Sequence, residues 1–375
     1  MRVHQHLWLQ GQPMLQSPAE SAQLLLVFAD AARLRDPALS QALENGWPGV
    51  PSIGCSTAGE IHDTRVHEGS VSITAISFDR TPFRIAVEEV RERGDSRAVG
   101  RVIAERLAAP DLAGIFVLSD GLIVNGSELV LGLSSALPVG LPLTGGLSGD
   151  GARFQQTLLL AEGEVRGGRV AAVGFYGDHI RIGCGSRGGW DLFGPTRVIT
   201  RSEGSILHEL DGEAALDAYR RYLGHHAADL PASALRFPLS LDIPGHSQGI
   251  VRTVLGVDAS TGSMTFAGDM PVGARARFMH ANFERLIDGA QAAAGVCGPS
   301  IREPAELAIL ISCVGRKLVL GQRTEEEVEG VRDVLGPTTP ISGFYSYGEI
   351  SPFTPGAACE LHNQTMTITT FAEAA

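Results

Sequence analysis

A ten-residue pattern occurs three times in this chain and restricts its fold more than any other feature. The three copies are PSIGCSTAGE at 51–60, PLTGGLSGDG at 142–151 and PISGFYSYGE at 340–349. Each copy begins with proline, has a glycine three residues later and a hydroxyl residue three residues after that, and ends in a glycine paired with an acid. Fixed spacing of this kind indicates repeated supersecondary units.

The segments around each copy also correspond. A short apolar segment with partly β-branched residues, typical of a buried strand, precedes each copy. These segments are 24–29, 115–119 and 307–312. A segment of helical character lies between each apolar segment and the copy that follows it. The first of these helical segments starts with Asp36-Pro37, an N-cap followed by proline. An alternating segment, typical of a strand, follows each copy, at 70–78, 156–161 and 365–371.

The repeated order of strand, helix, Gly-rich turn and strand predicts an α/β fold made of two related α/β domains. A length of 375 residues favours two domains. We place the boundary near Asp211, which divides the chain into 1–211 and 212–375. The repeated glycines are expected in tight turns that need positive φ. These turns are expected on one rim of the sheet, where open α/β folds bind ligands.

Composition excludes several classes of partner. The chain has 30 basic and 42 acidic residues, and no dense arginine cluster that would follow a phosphate backbone. Nucleic acid is therefore not an expected partner. Lys317 is the only lysine. The N-terminal residues lack the apolar core of a signal peptide and no segment has the length of a membrane span, so we expect no membrane association and a cytoplasmic protein.

The five cysteines form no CxxC pair and are expected to be reduced thiols. HExxH, paired Cys/His spacing and a Walker lysine are absent from the sequence, which argues against structural zinc and P-loop chemistry. Gly183–Gly188 matches GxGxxG, but no helix signal follows it, so we interpret it as a turn.

Gly245–Gly249 (GHSQG) matches the nucleophile elbow of serine hydrolases. An elbow needs a strand before the serine and a helix after it. Here Pro244 precedes the motif and a strand-like segment follows it. A hydrolase that uses Ser247 is therefore the less favoured alternative, and the protein is expected not to be an enzyme.

Three turns of this composition are able to gather polar groups around one pocket. The donors would be backbone N–H groups and the hydroxyls of Thr57, Ser148 and Ser346. The acceptors would be the carboxylates of Glu60, Asp150 and Glu349. Such a pocket suits a small zwitterion. The alternative is that the glycines and hydroxyls serve only the turn architecture.

The same residues carry a resemblance to a known family. The matching segments are GCSTAGEI (54–61), LPLTGGLSGDG (141–151), GCGSRGGW (183–190), DGEAALDAY (211–219), SCVGRK (312–317), GFYSYGEI (343–350) and LHNQT (361–365). In this order they resemble the FIST family, whose name refers to F-box and intracellular signal transduction proteins and whose members have paired N- and C-terminal domains. The match spans most of the chain.

The resemblance implies a sensory module that binds a small ligand, for which amino acids have been suggested. It implies a partner of the histidine kinase, diguanylate cyclase or chemoreceptor type. The two halves account for all 375 residues, so we expect a stand-alone protein that signals through a separate partner. Self-association as a homodimer is the base rate for bacterial proteins. No cofactor is expected in the leading hypothesis.

A subset of the family is similar in pattern but binds haem and senses nitric oxide, which makes haem held by His362 the alternative cofactor. The ligand-contact residues that the resemblance implies for this chain are Cys55, Ser56, Thr57, Glu60, Ser148, Asp150, Trp190, Cys313, Arg316, Tyr345, Glu349, His362 and Asn363. Arg316 would meet an anionic group of the ligand. The structural alternative for Cys313 is a small buried apolar residue.

Overall fold

The computed structural model describes residues 1–9, 11–12, 20–230, 232–243, 249–297 and 304–374. The strands before residue 120 are β1 (Arg2–Trp8), β2 (Leu24–Ala29), β3 (Ser52–Ser56), β4 (Glu60–His62), β5 (Arg65–His67), β6 (Val71–Ser77), β7 (Phe83–Glu89) and β8 (Leu112–Ser119). Those that follow, up to residue 214, are β9 (Leu143–Leu147), β10 (Leu159–Ala161), β11 (Glu164–Arg166), β12 (Arg169–Tyr176), β13 (Ile180–Arg187), β14 (Asp191–Glu203), β15 (Ile206–Leu210) and β16 (Glu213–Ala214).

The remaining strands are β17 (Leu239–Asp242), β18 (Ile250–Arg252), β19 (Val254–Asp258), β20 (Ser263–Phe266), β21 (Arg275–His280), β22 (Leu307–Cys313), β23 (Ile341–Ser346), β24 (Gly348–Pro352), β25 (Cys359–His362) and β26 (Met366–Glu373). The α-helices are α1 (Ala31–Leu34), α2 (Pro37–Gly46), α3 (Ser96–Leu107), α4 (Gly126–Ser135), α5 (Ala215–Leu223), α6 (Phe283–Cys297), α7 (Val314–Leu320) and α8 (Thr324–Leu335). Short 3₁₀ segments lie at Arg93–Asp95, Gly224–Asp229, Ala232–Arg236 and Gly321–Arg323.

Three six-stranded mixed sheets share one topology. Their strand orders are β1-β6-β2-β3-β10-β11, β7-β12-β8-β9-β24-β25 and β13-β26-β22-β23-β4-β5, which we call the first, second and third sheets. Each sheet contains one parallel pair, β2/β3, β8/β9 or β22/β23, with antiparallel strands on both sides. The α/β class predicted from the sequence is confirmed.

Each sheet ends in a hairpin that belongs to a different unit of the chain. The hairpin β4-β5 leaves the first unit and pairs with β23 of the third sheet. In the same way β24-β25 pairs with β9 of the second sheet, and β10-β11 pairs with β3 of the first. The exchange is cyclic, so the segment between each parallel pair and its hairpin crosses from one sheet to the next.

The three sheets surround a common apolar core, and the helices pack on their outer faces. Phe28 of the first sheet lies 4.8 Å from Phe344 of the third, and Phe175 of the second lies 5.3 Å from Phe371 of the third, measured between ring centroids. The outer core of the second and third sheets is closed by α3, α4, α6 and α8. Helices α1 and α2 cover the first sheet.

A fourth sheet of eight strands, β14 to β21, lies between β13 and α6 along the chain and packs on α5. It contains strands from both sides of Asp211. Strand β13, which precedes Asp211, also pairs with β26 near the C-terminus. The division into 1–211 and 212–375 stays a prediction, and backbone hydrogen bonds cross it in three sheets, the second, third and fourth.

The first glycine of each copy does not lie in a turn, contrary to the expectation from sequence. Gly54, Gly145 and Gly343 lie within the second strand of each parallel pair. A Cβ on each would lie 2.1, 1.8 or 1.9 Å, respectively, from a carbonyl oxygen of the neighbouring strand. The pattern therefore preserves a close approach of two backbones. The turns themselves are shorter, at 57–60, 148–150 and 346–349, and we call them the first, second and third turns.

Two other predicted elements differ from the structure. Gly183–Gly188 was expected to be a turn, but most of it belongs to β13, which pairs with β26 over eight residues. The segment 156–161 was expected to be the closing strand of the second unit. Only Leu159–Ala161 is extended there, and it forms the exchanged strand β10, whereas β12 occupies the closing position.

We expect Gly145→Ala to destabilise the fold by about 3 kcal/mol or more. The new Cβ would lie 1.8 Å from the backbone oxygen of Val117, and the backbone of a paired strand is not able to move away without breaking hydrogen bonds. Urea unfolding followed by circular dichroism measures the change. Gly295→Ala is the matched control: Gly295 is an exposed helical residue with open space at its Cβ. That change should stabilise by about 0.5–1 kcal/mol. Equal effects of the two changes would contradict the close-approach explanation.

Candidate functional site

The three turns meet in space and are joined by backbone hydrogen bonds. The Gly149 N–H of the second turn donates to the Ser56 carbonyl at 2.9 Å, next to the first turn. The Ala58 N–H of the first turn donates to the Tyr345 carbonyl at 2.8 Å, next to the third. Pairing of β24 with β9 joins the third turn to the second. The cyclic exchange of hairpins is what brings these distant segments together.

The acid of the first turn is buried and fully hydrogen-bonded. Glu60 is 1% exposed. One carboxylate oxygen accepts from the Thr57 hydroxyl, and the other accepts from the N–H (3.1 Å) and hydroxyl (2.7 Å) of Ser70. Burial raises the pKa of Glu60 to about 7, and the hydrogen bonds only partly oppose it. The carboxyl group therefore changes charge near neutral pH.

The third turn repeats this arrangement. Glu349 accepts from the Ser346 hydroxyl at 2.8 Å, and from the N–H and hydroxyl of Thr365 at 3.1 and 2.8 Å. The side chain is completely buried, and burial raises its pKa to about 8. Glu60 and Glu349, which occupy equivalent positions in the topology, thus accept from the same types of donor, and the pKa of each is raised.

The second turn differs because its acid holds a loop. Asp150 accepts the N–H groups of Phe154 (2.8 Å), Gln155 (2.9 Å) and Gln156 (2.9 Å), and the Tyr347 hydroxyl. Burial alone would raise its pKa, but these hydrogen bonds outweigh burial and the pKa lies below its usual value. Asp150 is therefore a loop-stabilising carboxylate in this structure.

A cavity of about 380 Å³ opens beside the first turn, and we call it the turn cavity. Its walls come from the first turn, the loop after the second turn, α7 and the segments that follow β2, β5 and α7. The lining residues are Asp30, Thr57, Ala58, Gly59, Glu60, Glu68, Gly69, Gly151, Ala152, Arg153, Val314, Lys317, Leu318, Gly321 and Thr324. Two of the expected contact residues, Thr57 and Glu60, therefore line a common cavity.

Charged groups of both signs face this cavity. The Lys317 ammonium donates to the Ala58 carbonyl at 2.7 Å and forms an ion pair with Glu68. The Arg153 guanidinium pairs with Asp30 at 3.0 Å. The Lys317 side chain is 15% exposed, whereas Glu68 is 76% exposed, so the cation is the better-shielded partner.

Sequence reasoning did not select Lys317, Arg153, Asp30 or Glu68 as contact residues. The signal available for Lys317 was its position as the only lysine, five residues after the predicted strand 307–312 and directly after the predicted contact residue Arg316. Nothing in the sequence predicted that α7 of the third unit faces the first turn, because that contact depends on the exchange of hairpins.

Arg316 and Tyr345 lie in a separate buried network. Arg316 is completely buried and donates to Glu327 from Nε at 3.0 Å and from Nη2 at 2.7 Å. Its remaining donors reach the carbonyls of Leu286 and Gly188. The Tyr345 hydroxyl donates to Glu327 at 2.7 Å. These side chains join α7, α8 and β23 and do not line the turn cavity.

The serines and cysteines that were expected at the ligand are also enclosed. The Ser56 hydroxyl accepts the Leu158 N–H at 2.9 Å, and the Ser148 hydroxyl donates to the Ser119 carbonyl at 3.0 Å. Cys55 is 0% and Cys313 is 3% exposed. Burial raises the pKa of both thiols above its ordinary value, which disfavours a reactive thiolate.

Trp190 and Asn363 are buried and donate to backbone carbonyls. The Trp190 indole N–H donates to the Gln364 carbonyl at 2.8 Å, and the Asn363 amide donates to the His362 carbonyl at 3.0 Å. Neither residue lines the turn cavity.

The residues around His362 do not fit a haem. The side chain is 1% exposed, its Nε2 donates to the Ser351 carbonyl at 2.7 Å, and Phe353 packs on the ring at 4.2 Å. Burial lowers the pKa of His362 to about 4, so the ring is neutral at physiological pH. A haem plane would have to displace this packing and the hydrogen bond of Nε2.

Ser247 and the first four residues of the GHSQG motif lie outside the described residues. Within the part of the chain that the structure describes, no cluster of three or more His, Cys, Asp or Glu side chains has the geometry of a metal site. In the same part, no helix combines the length and apolar character needed to cross a membrane.

Comparison with known proteins identifies the architecture. The FIST N domain model matches residues 23–213 and the FIST C domain model matches residues 215–352. The uncharacterized protein Rv0628c of Mycobacterium tuberculosis is 26% identical over 261 residues, which is 65% of this chain and 64% of that protein. The uncharacterized protein Mb0898c of Mycobacterium bovis is 26% identical over 250 residues, 62% of this chain and 61% of that protein.

The chain thus spans less than two thirds of the length of these relatives. Among solved structures, the crystal structure of cyanuric acid hydrolase from A. caulinodans aligns over 100% of this chain and 99% of that chain, with a TM-score of 0.38 and 9% identity. A likeness at that level carries no argument about activity.

The buried acids predict how stability depends on pH. Because the pKa of Glu349 is about 8 in the fold and 4.5 ordinarily, the folded state binds the proton more tightly between these values. Its contribution is therefore most favourable below pH 4.5 and is lost as the pH rises to 8. We expect the free energy of unfolding to fall with rising pH by up to about 1.4 kcal/mol per unit for this group.

Glu349→Gln should remove this part of the slope, since the amide keeps an acceptor for Thr365 and the Ser346 hydroxyl is able to accept instead of donate. Urea unfolding at several pH values from 5.5 to 8.5 measures the slope. Glu44→Gln, at an exposed position of α2, is the control and should keep the wild-type slope. An unchanged slope in Glu349→Gln would show that the carboxyl is not protonated in the fold.

Proposed function

The chain belongs to the FIST family, and from that premise we propose that it is a sensory protein that binds a small zwitterionic metabolite of the amino-acid type in the turn cavity. FIST domains are sensory domains of signal transduction. The ligand would act without being chemically changed. Binding would change the population of two arrangements of the protein and so the activity of a separate signalling partner.

The observation that carries this proposal is the arrangement of charge in the turn cavity. Lys317 and Arg153 supply cations, and Glu60, Asp30 and Glu68 supply anions, around a space of about 380 Å³. An ammonium group has three N–H donors, and Lys317 uses two of them on the Ala58 carbonyl and Glu68. The third is available to a ligand carboxylate. An amino acid has complementary groups of both signs.

Glu60 is the residue that we assign to the ligand ammonium group. It lies at the wall of the cavity, is 1% exposed, and its carboxylate is costly to ionise without a cation. A bound ammonium group would stabilise the charged form. The Asp30 side chain is 20% exposed and already forms an ion pair with Arg153. It is therefore less available than Glu60 to the ammonium group of a ligand.

A ligand screen tests the assignment. We expect at least one free amino acid to raise the melting temperature, and its N-acetyl and methyl-ester derivatives, which each lack one charge, to raise it less or not at all. Lys317→Gln should weaken binding about tenfold or more, as expected for a charged hydrogen bond of about 1.5–3 kcal/mol. Arg80→Gln, at an exposed site outside the cavity, should leave the affinity unchanged. If no zwitterion stabilises the protein, or Lys317→Gln binds as well as wild type, the proposal fails.

The affinity should also depend on pH through Glu60. Because its pKa is about 7 in the free protein, it is mostly neutral at pH 6 and mostly ionised at pH 8. Binding of an ammonium group is therefore expected to strengthen about tenfold across this interval. Isothermal titration calorimetry at several pH values measures the change. Glu60→Gln should bind weakly at all of them, and a Glu60→Gln variant with the wild-type profile would assign the pH dependence to another group.

The cavity provides a route from ligand to partner because its walls come from both family domains. Thr57 and Glu60 lie in the N domain, and Lys317 lies in the C domain. A ligand that contacts both would favour one arrangement of the two halves. We propose a histidine kinase, a diguanylate cyclase or a chemoreceptor as the partner. Autophosphorylation or cyclase assays of a purified partner, with and without the stabilising amino acid, test this step, and an equal rate in both would contradict it.

A further inference from the structure

A second cavity, of about 350 Å³, lies between α4, the strands β18 and β25, and the segment that follows β20. We call it the Arg252 cavity. Most of its wall is apolar, and its lining residues are Ser127, Val130, Leu131, Ser134, Ile243, Ile250, Arg252, Asp269, Pro271, Ala358, Cys359, Glu360 and Leu361. It shares no lining residue with the turn cavity.

The guanidinium of Arg252 is the unusual group in this wall. Arg252 is only 4% exposed. Its hydrogen bonds go to backbone carbonyls: Nε to Asp269 at 3.2 Å, and Nη1 to Val251 and Leu361 at 3.2 Å each. Backbone carbonyls are neutral, so they orient the cation without cancelling its charge. Burial of a cation costs free energy unless an anion compensates it.

The backbone is shaped to hold this side chain. Gly268 lies directly against it, and a Cβ at that position would lie 2.8 Å from Nε and 3.0 Å from Cζ of Arg252. Gly268 has φ +137°, a backbone conformation that residues other than glycine rarely adopt. The glycine therefore allows the guanidinium to approach the backbone closely, and Nη1 donates to the Leu361 carbonyl.

Two carboxylates, those of Asp269 and Glu360, also line the cavity. The hydrogen bonds of the guanidinium to the described residues go to backbone carbonyls and to neither carboxylate. Asp269 also accepts from the Asn125 amide at 3.2 Å. Burial lowers the pKa of Arg252 to about 10, even though the two carboxylates act in the opposite direction. The effect of burial on the guanidinium therefore outweighs that of both carboxylates.

We propose that the Arg252 cavity is a second ligand site, which binds a small amphipathic carboxylate with its apolar body against Val130, Ile250 and Leu361 and its carboxylate on the Arg252 guanidinium. A planar guanidinium matches a carboxylate in geometry and charge. The apolar wall would bind an aliphatic or aromatic body. A free amino acid fits less well, because its ammonium group would lie in the apolar part.

A matched series of ligands tests this site. Hexanoate, hexanol and hexylamine have the same apolar chain and differ in the charge of the head group. We expect hexanoate to bind at least tenfold more tightly than hexanol, measured by calorimetry and by the melting temperature. Tighter binding of hexylamine would show that Asp269 and Glu360 control the cavity and would overturn the proposal. Absence of binding by all three would overturn it as well.

Two variants place the binding in this cavity. Arg252→Gln should weaken hexanoate binding at least tenfold and leave hexanol unchanged. Since Arg252 also supports local backbone, Leu131→Glu provides a second variant at a rim position that is 49% exposed and tolerates charge. The new carboxylate should weaken the binding of hexanoate, because the two negative charges repel each other. Arg97→Gln, at a 63% exposed side chain on α3, is the control. Hexanoate binding that neither cavity variant changes would locate the ligand elsewhere and refute the assignment.

Discussion

The exchange of hairpins among the three sheets is the constraint on which the rest of the structure depends. A hairpin that follows one turn completes the sheet of another unit, so each unit is missing an edge until the next one folds against it. Unpaired strand edges are unfavourable in a closed core. The arrangement therefore fixes all three turns at one place, and it does so through backbone hydrogen bonds rather than through the turn side chains.

This cyclic arrangement produces three equivalent positions, but the side chains make them unequal. The residue after the turn hydroxyl is Ala58 in the first turn and Tyr347 in the third. The cavity beside Ala58 has about 380 Å³, whereas the one lined by Tyr347 has about 80 Å³. Tyr347 also stacks on Phe154 at 4.3 Å and donates to Asp150. A large aromatic residue thus fills one position, and a small residue leaves the other open.

Buried ionisable side chains have charged partners in one part of this molecule and neutral partners in others. Arg316 and Glu327 are both completely buried and satisfy each other at 2.7 Å, which is a self-contained structural pair. Among the described residues, the hydrogen-bond donors to Glu60 and Glu349 are neutral, and burial raises the pKa values of both acids. The acceptors of Arg252 among these residues are neutral carbonyls. Buried charged groups with neutral partners gain more from a ligand of opposite charge than a buried ion pair does. This contrast separates candidate binding groups from structural ones.

Local sequence predicted many elements well. The apolar segment 24–29 is β2 with the same limits, and the Asp36 side chain caps α2 by accepting the Ala38 N–H. The segment 275–297 divides into β21 and α6. This boundary depends on the pairing of β21 with β14 and β17, which the local apolar pattern does not contain.

The sequence by itself determined the class of fold and the existence of three related turns, because strand, helix and turn signals depend on neighbouring residues. It also determined that glycine recurs at one position of each unit, although not that close backbone approach was the reason. Only the tertiary structure decided which turn has an open cavity and which charges face it. Lys317 and Glu60 are 257 residues apart by number, and they share a wall only because strands of one unit complete the sheet of another.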